Sequence, residues 1–173
     1  NIAAAPAGAQ GTFTPSTFRV YNIPKSTLLV KSTTAGADPY TPDLLAEEDF
    51  LTSAMSNVGA LSGGSYSFSF YMPENVQPTR TENAEGGAMT YADRDKWTGP
   101  AGSLPEAKTW SNAPQTGTFV VINGTYTESN GQYTGNVSYT VHLGDFSATG
   151  SQGNFSVERN CSYTYNMSVL GVD

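Results

Sequence analysis

The stretch Cys161-Ser162-Tyr163-Thr164-Tyr165-Asn166-Met167-Ser168-Val169-Leu170 puts Tyr163, Tyr165, Met167 and Val169 at alternate positions, with Ser162, Thr164, Asn166 and Ser168 between them. A period of two is the signature of a strand with one face buried and the other in water, as in antiparallel sheets. Ser65–Met72 repeats it: Tyr66, Phe68, Phe70 and Met72 alternate with Ser65, Ser67, Ser69 and Tyr71, and Pro73 closes the run. Thr118–Tyr126 reads TFVVINGTY, a buried strand in which Gly124 marks an expected bulge. After a turn at Gly131, Tyr133–Leu143 carries Val137, Tyr139, Val141 and Leu143 on one face, and Asn154–Glu158 is a short strand. Two sheets of this kind packed face to face make an all-β antiparallel β-sandwich. No repeat of fixed period is present, which argues against a propeller or a solenoid.

Upstream, Phe18-Arg19-Val20-Tyr21-Asn22-Ile23 reads as a strand stopped by Pro24, Thr27–Lys31 as a further strand and Ser32–Tyr40 as a loop. Residues 1–16, rich in Ala, Gly, Pro and Thr, read as a flexible lead-in to one domain over 17–173. One short helix is expected from Thr41, an N-cap followed by Pro42, with Asp43, Glu47, Glu48 and Asp49 loading the early turns. Leu44, Leu51, Met55 and Val58 would be its buried stripe, and Asn57 and Gly59 its end. Residues 74–116 are polar and irregular; a short strand is expected at Ala88–Tyr91, with Trp97 and Trp110 pinning the stretch to the core.

The composition fits this reading. Aromatics make up 12% of the 173 residues, with ten Tyr and eight Phe, so few side chains suffice for a core. The formal net charge of -7 provides no basic footprint for nucleic acid and would be repelled by an anionic membrane surface. The single cysteine, Cys161, rules out an internal disulfide, and a Cys-poor, Thr/Tyr-rich β-protein suits a bacterial surface. Asn1–Gly11 has neither the basic nor the apolar region of an export signal, which is therefore expected upstream.

The inventory for catalysis is thin, and the chain is not expected to be an enzyme. His142 is the only histidine, so a metal site built from several histidines is excluded within one chain, and no metal or cofactor is expected. The alternation of Val141 and Leu143 turns His142 away from their face. A Cys161–His142 thiolate pair has no local support. Asp93 and Asp95 are spaced like the first ligands of a calcium loop, but the glycine and closing Glu are missing. The nucleophile-elbow, dinucleotide-binding and P-loop patterns are absent. The N-x-S/T sequons at Asn123, Asn136, Asn154, Asn160 and Asn166 reflect a chain rich in Asn, Ser and Thr.

The C-terminal third, taken as Thr118–Tyr126, Val137–Gly144, Asn154–Asn166 and the ending Val169-Leu170-Gly171-Val172-Asp173, resembles the fimbrillin superfamily, the type V pilus subunits and accessory proteins of Bacteroidia. Phe70-Tyr71-Met72-Pro73-Glu74-Asn75 and Val20-Tyr21-Asn22-Ile23-Pro24 are similar to that family too. The resemblance implies a transthyretin-like sandwich of the C-terminal type, export as a lipoprotein, and attachment to the outer membrane at the cell surface as part of a fimbrium. It implies other pilin subunits as partners, joined by donating a strand to a neighbour's sheet. Phe68, Phe70, Val121, Tyr163 and Tyr165 would line the receiving groove. The alternative is a surface adhesin or glycan-binding module outside any pilus, which would present Tyr91, Trp97 and Trp110 to a host or bacterial protein or glycan.

Overall fold

A computed structural model describes residues 1–26, 49–100, 108–148 and 150–172. In chain order the strands are β1 (Ile2–Ala3), β2 (Gly11–Tyr21), β3 (Ile23–Pro24), β4 (Phe50–Leu51), β5 (Ser56–Asn57), β6 (Ser65–Tyr66), β7 (Trp97–Thr98), β8 (Thr109–Trp110), β9 (Phe119–Glu128) and β10 (Thr134–His142).

The long pair is β2 with β9, antiparallel from Gly11 opposite Glu128 to Tyr21 opposite Phe119. β10 folds back on β9 in continuous register, and β5 lies along the other side of β2, giving the order β10-β9-β2-β5. The expected bulge falls in the strand opposite Gly124. Pro15 faces Gly124 and Thr17 faces Asn123, so Ser16 is the extra residue. Gly124 permits it, because a Cβ there would run into the Thr14 carbonyl and the Phe13 ring.

Alternation along β9 splits the apolar side chains between two faces. Val120 and Ile122 join Phe13, Phe18 and Val20 of β2 in the main core. That core is closed by a second layer made of β1 and two extended segments, 65–72 and 161–170, whose inward side chains are the alternating sets seen in the sequence. Phe18 stacks on Phe68 with ring centroids 3.9 Å apart. The two layers make the β-sandwich expected from the strand pattern. Phe119 and Val121 point to the opposite face, where Tyr21, Met89, Trp110, Ala113 and Phe155 form a separate cluster under the long connection.

The two segments of the second layer are joined at one end. Asn75 and Val157 exchange N–H to C=O bonds of 2.8 and 2.9 Å. The Asn75 side chain fixes this junction to the first layer: its amide donates to the Thr116 carbonyl and to Thr118 Oγ1, both at 2.9 Å, and accepts from Gln77 Nε2 at 2.6 Å. Ser156 Oγ accepts from Gln77 N–H and donates to Gln77 C=O, and Arg159 pairs with Glu74 just outside.

Several expectations are revised. Residues 1–16 are part of the sandwich: Ile2 is 1% exposed, and β2 begins at Gly11 and buries Phe13. The helix expected from Thr41 lies outside the described residues as far as Glu48. Beyond it the chain is extended in β4 and β5, with Leu51 and Met55 exposed, because pairing with β3 and β2 overrides the weak helical spacing. The strand expected at Thr27–Lys31 and the loop at Ser32–Tyr40 also lie outside the described residues. In the long connection β7 pairs with β8, Trp97 opposite Trp110, while 88–91 contributes a single bridge, Glu82 to Ala88, and the start of a 3-10 turn.

Phe18→Ala, which removes the ring between the layers, is expected to lower unfolding free energy by about 3–5 kcal/mol. Asn75→Ala leaves the buried Thr118 hydroxyl without its donor and Gln77 Nε2 without its nearest acceptor, with an expected loss of about 1–3 kcal/mol. Urea unfolding followed by tyrosine and tryptophan fluorescence measures both.

Candidate functional site: an open strand position

β1 occupies a place between the two segments of the second layer. It is antiparallel to β6, Ile2 opposite Tyr66 and Ala3 opposite Ser65, and it forms a parallel bridge from Ile2 to Met167. Ala3 donates to Met167 C=O, Met167 to Asn1 C=O and Asn1 to Tyr165 C=O, at 2.8–2.9 Å. The flanking segments therefore stand one strand apart at Tyr66 and Met167 and converge to direct pairing at Asn75 and Val157. Between these levels the two segments flank a slot, a tapering strand position that continues the line of β1 ahead of Asn1, where upstream chain or another segment would run, and among the described residues neither 67–72 nor 161–166 carries a ladder there.

The parity of the hydrogen bonds shows which groups face the slot. Ser65 bonds Ser62, and Ser67 C=O accepts from Gly59, both on the side away from β1, whereas Ala4 donates to Gly64 C=O on the β1 side. Backbone groups alternate along a strand, so those of Phe68 and Phe70 face the slot. On the other flank Met167 bonds β1 through both N–H and C=O, so the groups of Tyr163 and the N–H of Tyr165 face it too. Continuing the β1 register sets the next position opposite Phe68 and Tyr165, and the position two further on opposite Phe70 and Tyr163. These share the phase of Ile2, which points into the core, so an occupant would bury every second side chain.

Four of the groove residues expected from the sequence thus flank one slot. Phe68 and Phe70 stack beside Phe18, and the rings of Tyr163 and Tyr165 stack 6.4 Å apart. Tyr165 is fixed by its hydroxyl, which accepts from Gly144 N–H and donates to Gly144 C=O, each at 3.0 Å, and burial pushes its pKa up. Tyr163 Oη accepts from Glu158 N–H at 3.0 Å. Val121 is the exception: period two turns it to the opposite face of β9, in the cluster with Trp110. Ile2 and Met167, which define the site's direction, are not among the groove residues expected from the sequence, although Met167 lies on the apolar phase of its segment and Ile2 is the one branched apolar side chain ahead of Phe13.

The three candidate ligand aromatics do not share a platform. Trp110 is buried, edge-on to Phe119 and His142. Trp97 is half-buried, with Lys108 Nζ 4.5 Å from its ring centroid. Tyr91 is 57% exposed, and its ring meets Phe146 instead.

The titratable residues weighed for chemistry serve the scaffold. His142 is fully buried, and its Nδ1 lies 2.6 Å from Asp95 Oδ1, which also accepts the His142 N–H. Arg94 lies between the rings of Phe146 and Phe155 and donates to the carbonyls of Gln152, Asn154, His142 and Leu143. Burial lowers its pKa to about 10, partly opposed by Asp95, so it stays charged at neutral pH. Asp93 accepts from Thr90 N–H and Oγ1, which holds its carboxyl below the usual range. Asp93 and Asp95 thus serve different partners. Cys161 is exposed, while the His142 ring is held inside. Among the described residues no group of three or more His, Cys, Asp or Glu could hold a metal ion.

A family profile described as a domain of unknown function, DUF4906, matches residues 70–167. No curated protein and no solved structure matches the chain. The match covers more than half of the chain and runs from Phe70, on one flank of the slot, to Met167, which bridges to β1 on the other. The chain belongs to the DUF4906 family.

Proposed function

We propose that the protein is a structural or tip accessory subunit of a bacterial surface pilus and that it assembles by accepting a β-strand from another subunit. The observation carrying this reading is the strand position in line with β1 and ahead of Asn1, toward which Phe68, Phe70, Tyr163 and Tyr165 turn backbone groups that have no backbone partner among the described residues; a donated strand takes this position where no upstream residues of the same chain fill it. An unpaired strand position above an aromatic core favours an extended segment with alternating apolar side chains, since main-chain bonds give affinity and the inward side chains give specificity. The donated strand runs as β1 does, antiparallel to 67–72 and parallel to 161–166. Its partners are other pilin subunits, and its place is the outside of the cell, at the outer membrane. The chain acts through assembly and not through catalysis. The resemblance of 70–75 and 154–166 to fimbrillins supports the same reading, and Glu74, Asn75, Val157 and Arg159 of those stretches form the junction that closes the slot.

A second reading, an adhesin that binds a protein or glycan, is favoured by the exposure of Tyr91, and the two are compatible in a tip subunit.

Mass spectrometry of appendages sheared from the source cells is expected to find the protein in the polymers, with fibres lost or shortened in a strain lacking the gene. Tyr163→Asp, which sets a carboxylate beside the slot, is expected to be exported folded but to be missing from the fibres. A protein that stays cell-bound while the fibres are unchanged contradicts the proposal and directs attention to ligands of Tyr91 and Trp97.

A further inference from the structure

β10 is the outer strand of the first layer among the described residues, and its outer edge has a pattern of its own. Leu143 donates to Thr118 C=O at 2.9 Å and Glu128 donates to Tyr133 C=O at 3.0 Å, in the same register as the β9–β10 ladder. The backbone groups of Gly135, Val137, Tyr139 and Val141 therefore point at β9, and those of Thr134, Asn136, Ser138, Thr140 and His142 point outward. At His142 the outward pair is taken: Asp95 Oδ1 accepts its N–H at 2.9 Å and Arg94 Nη2 donates to its C=O at 3.3 Å. Among the described residues no backbone partner stands against Thr134, Asn136, Ser138 or Thr140. Sheet edges are commonly blunted by charge, proline or a bulge. Thr134-Gly135-Asn136-Val137-Ser138-Tyr139-Thr140-Val141-His142 has no Asp, Glu, Lys, Arg or Pro, and its ladder is unbroken.

We propose that β10 is a homodimer interface, pairing antiparallel with β10 of a second copy about a two-fold axis at Val137. The register follows from hydrogen-bond satisfaction. With the axis there, Asn136 of each chain meets Ser138 of the other and Thr134 meets Thr140, so every open N–H and C=O is paired. Moving the axis to Tyr139 sets Asn136 against His142, whose groups Asp95 and Arg94 already hold, and leaves Thr134 unpaired. Moving it to Gly135 leaves Ser138 and Thr140 unpaired. The side chains suit the same register. On the core-facing side the two Val137 side chains meet at the axis, and Tyr139 of each chain lies across from Gly135 of the other, a glycine already covered by the Tyr133 ring of its own chain. Val141 lies across from Tyr133, which is 42% exposed. A second copy is the favoured occupant because the open groups of this edge are self-complementary about Val137 and the edge carries no charge, so two chains of net charge -7 can meet here without opposing like charges in the contact. The edge lies in the first layer and the slot in the second, so this inference does not rest on strand donation.

Sedimentation and light scattering of the purified chain are expected to show a dimer. Asn136→Pro removes one outward N–H and spares the ladder to β9; it is expected to give a monomer with an unchanged far-UV spectrum. Val137→Cys in a Cys161→Ser background is expected to form a disulfide-linked dimer on mild oxidation, since directly opposed non-hydrogen-bonded residues have Cα atoms about 4.5 Å apart. A chain that is monomeric at every concentration reached, or a dimer that survives Asn136→Pro and gives no cross-link at position 137, overturns the proposal.

Discussion

The pairing of Asn75 with Val157 is the constraint on which the second layer depends. It ties the segment leaving the 65–72 row to the one leading into 161–170, and the Asn75 amide binds that knot to Thr116 and Thr118 ahead of β9. Once the segments are fixed at this end, their directions are set, and they part far enough at the other end to admit β1 between Tyr66 and Met167. The slot is what remains between a closed end and a filled end. Its inner wall is the aromatic core, so an inward-facing occupant continues the packing that Ile2 begins.

The first layer is divided by period two. One face of β9 serves the main core and the other serves the cluster around Trp110 and Phe155, covered by the long connection. Arg94 does much to hold that cover, because a cation between two rings with four carbonyl acceptors cannot leave its place without exposing several unpaired groups at once. With Asp95 it also closes the end of the β10 edge at His142. Buried charge here acts as architecture.

Much of this was legible in the sequence. The alternation in 65–72 and 161–170 is the alternation of burial in the structure, and Phe68, Phe70, Tyr163 and Tyr165 come together because each lies on the apolar phase of its segment. The pairing was not legible, since period two tells a face and not a neighbour. Both segments read as ordinary strands, yet they carry few ladder bonds, and Val121 went to the wrong face because a continuous apolar run, Phe119-Val120-Val121-Ile122, serves both sides of its strand. The N-terminus was misjudged because small residues around Ile2 look like a linker, while one buried branched side chain and a few main-chain bonds are enough to anchor it. Arg94 could not have been chosen from sequence, since its burial depends on carbonyls some fifty residues further on.

Hydrogen exchange resolved to single amides tests the open strand position most directly. In the isolated 173-residue chain the amides of Phe68, Phe70, Tyr163 and Tyr165 are expected to exchange quickly, while those of β9, paired on one side with β10 and on the other with β2, are protected. In the assembled fibre the same amides are expected to become protected together. Slow exchange at these four positions in the isolated chain, or no change on assembly, would contradict the account.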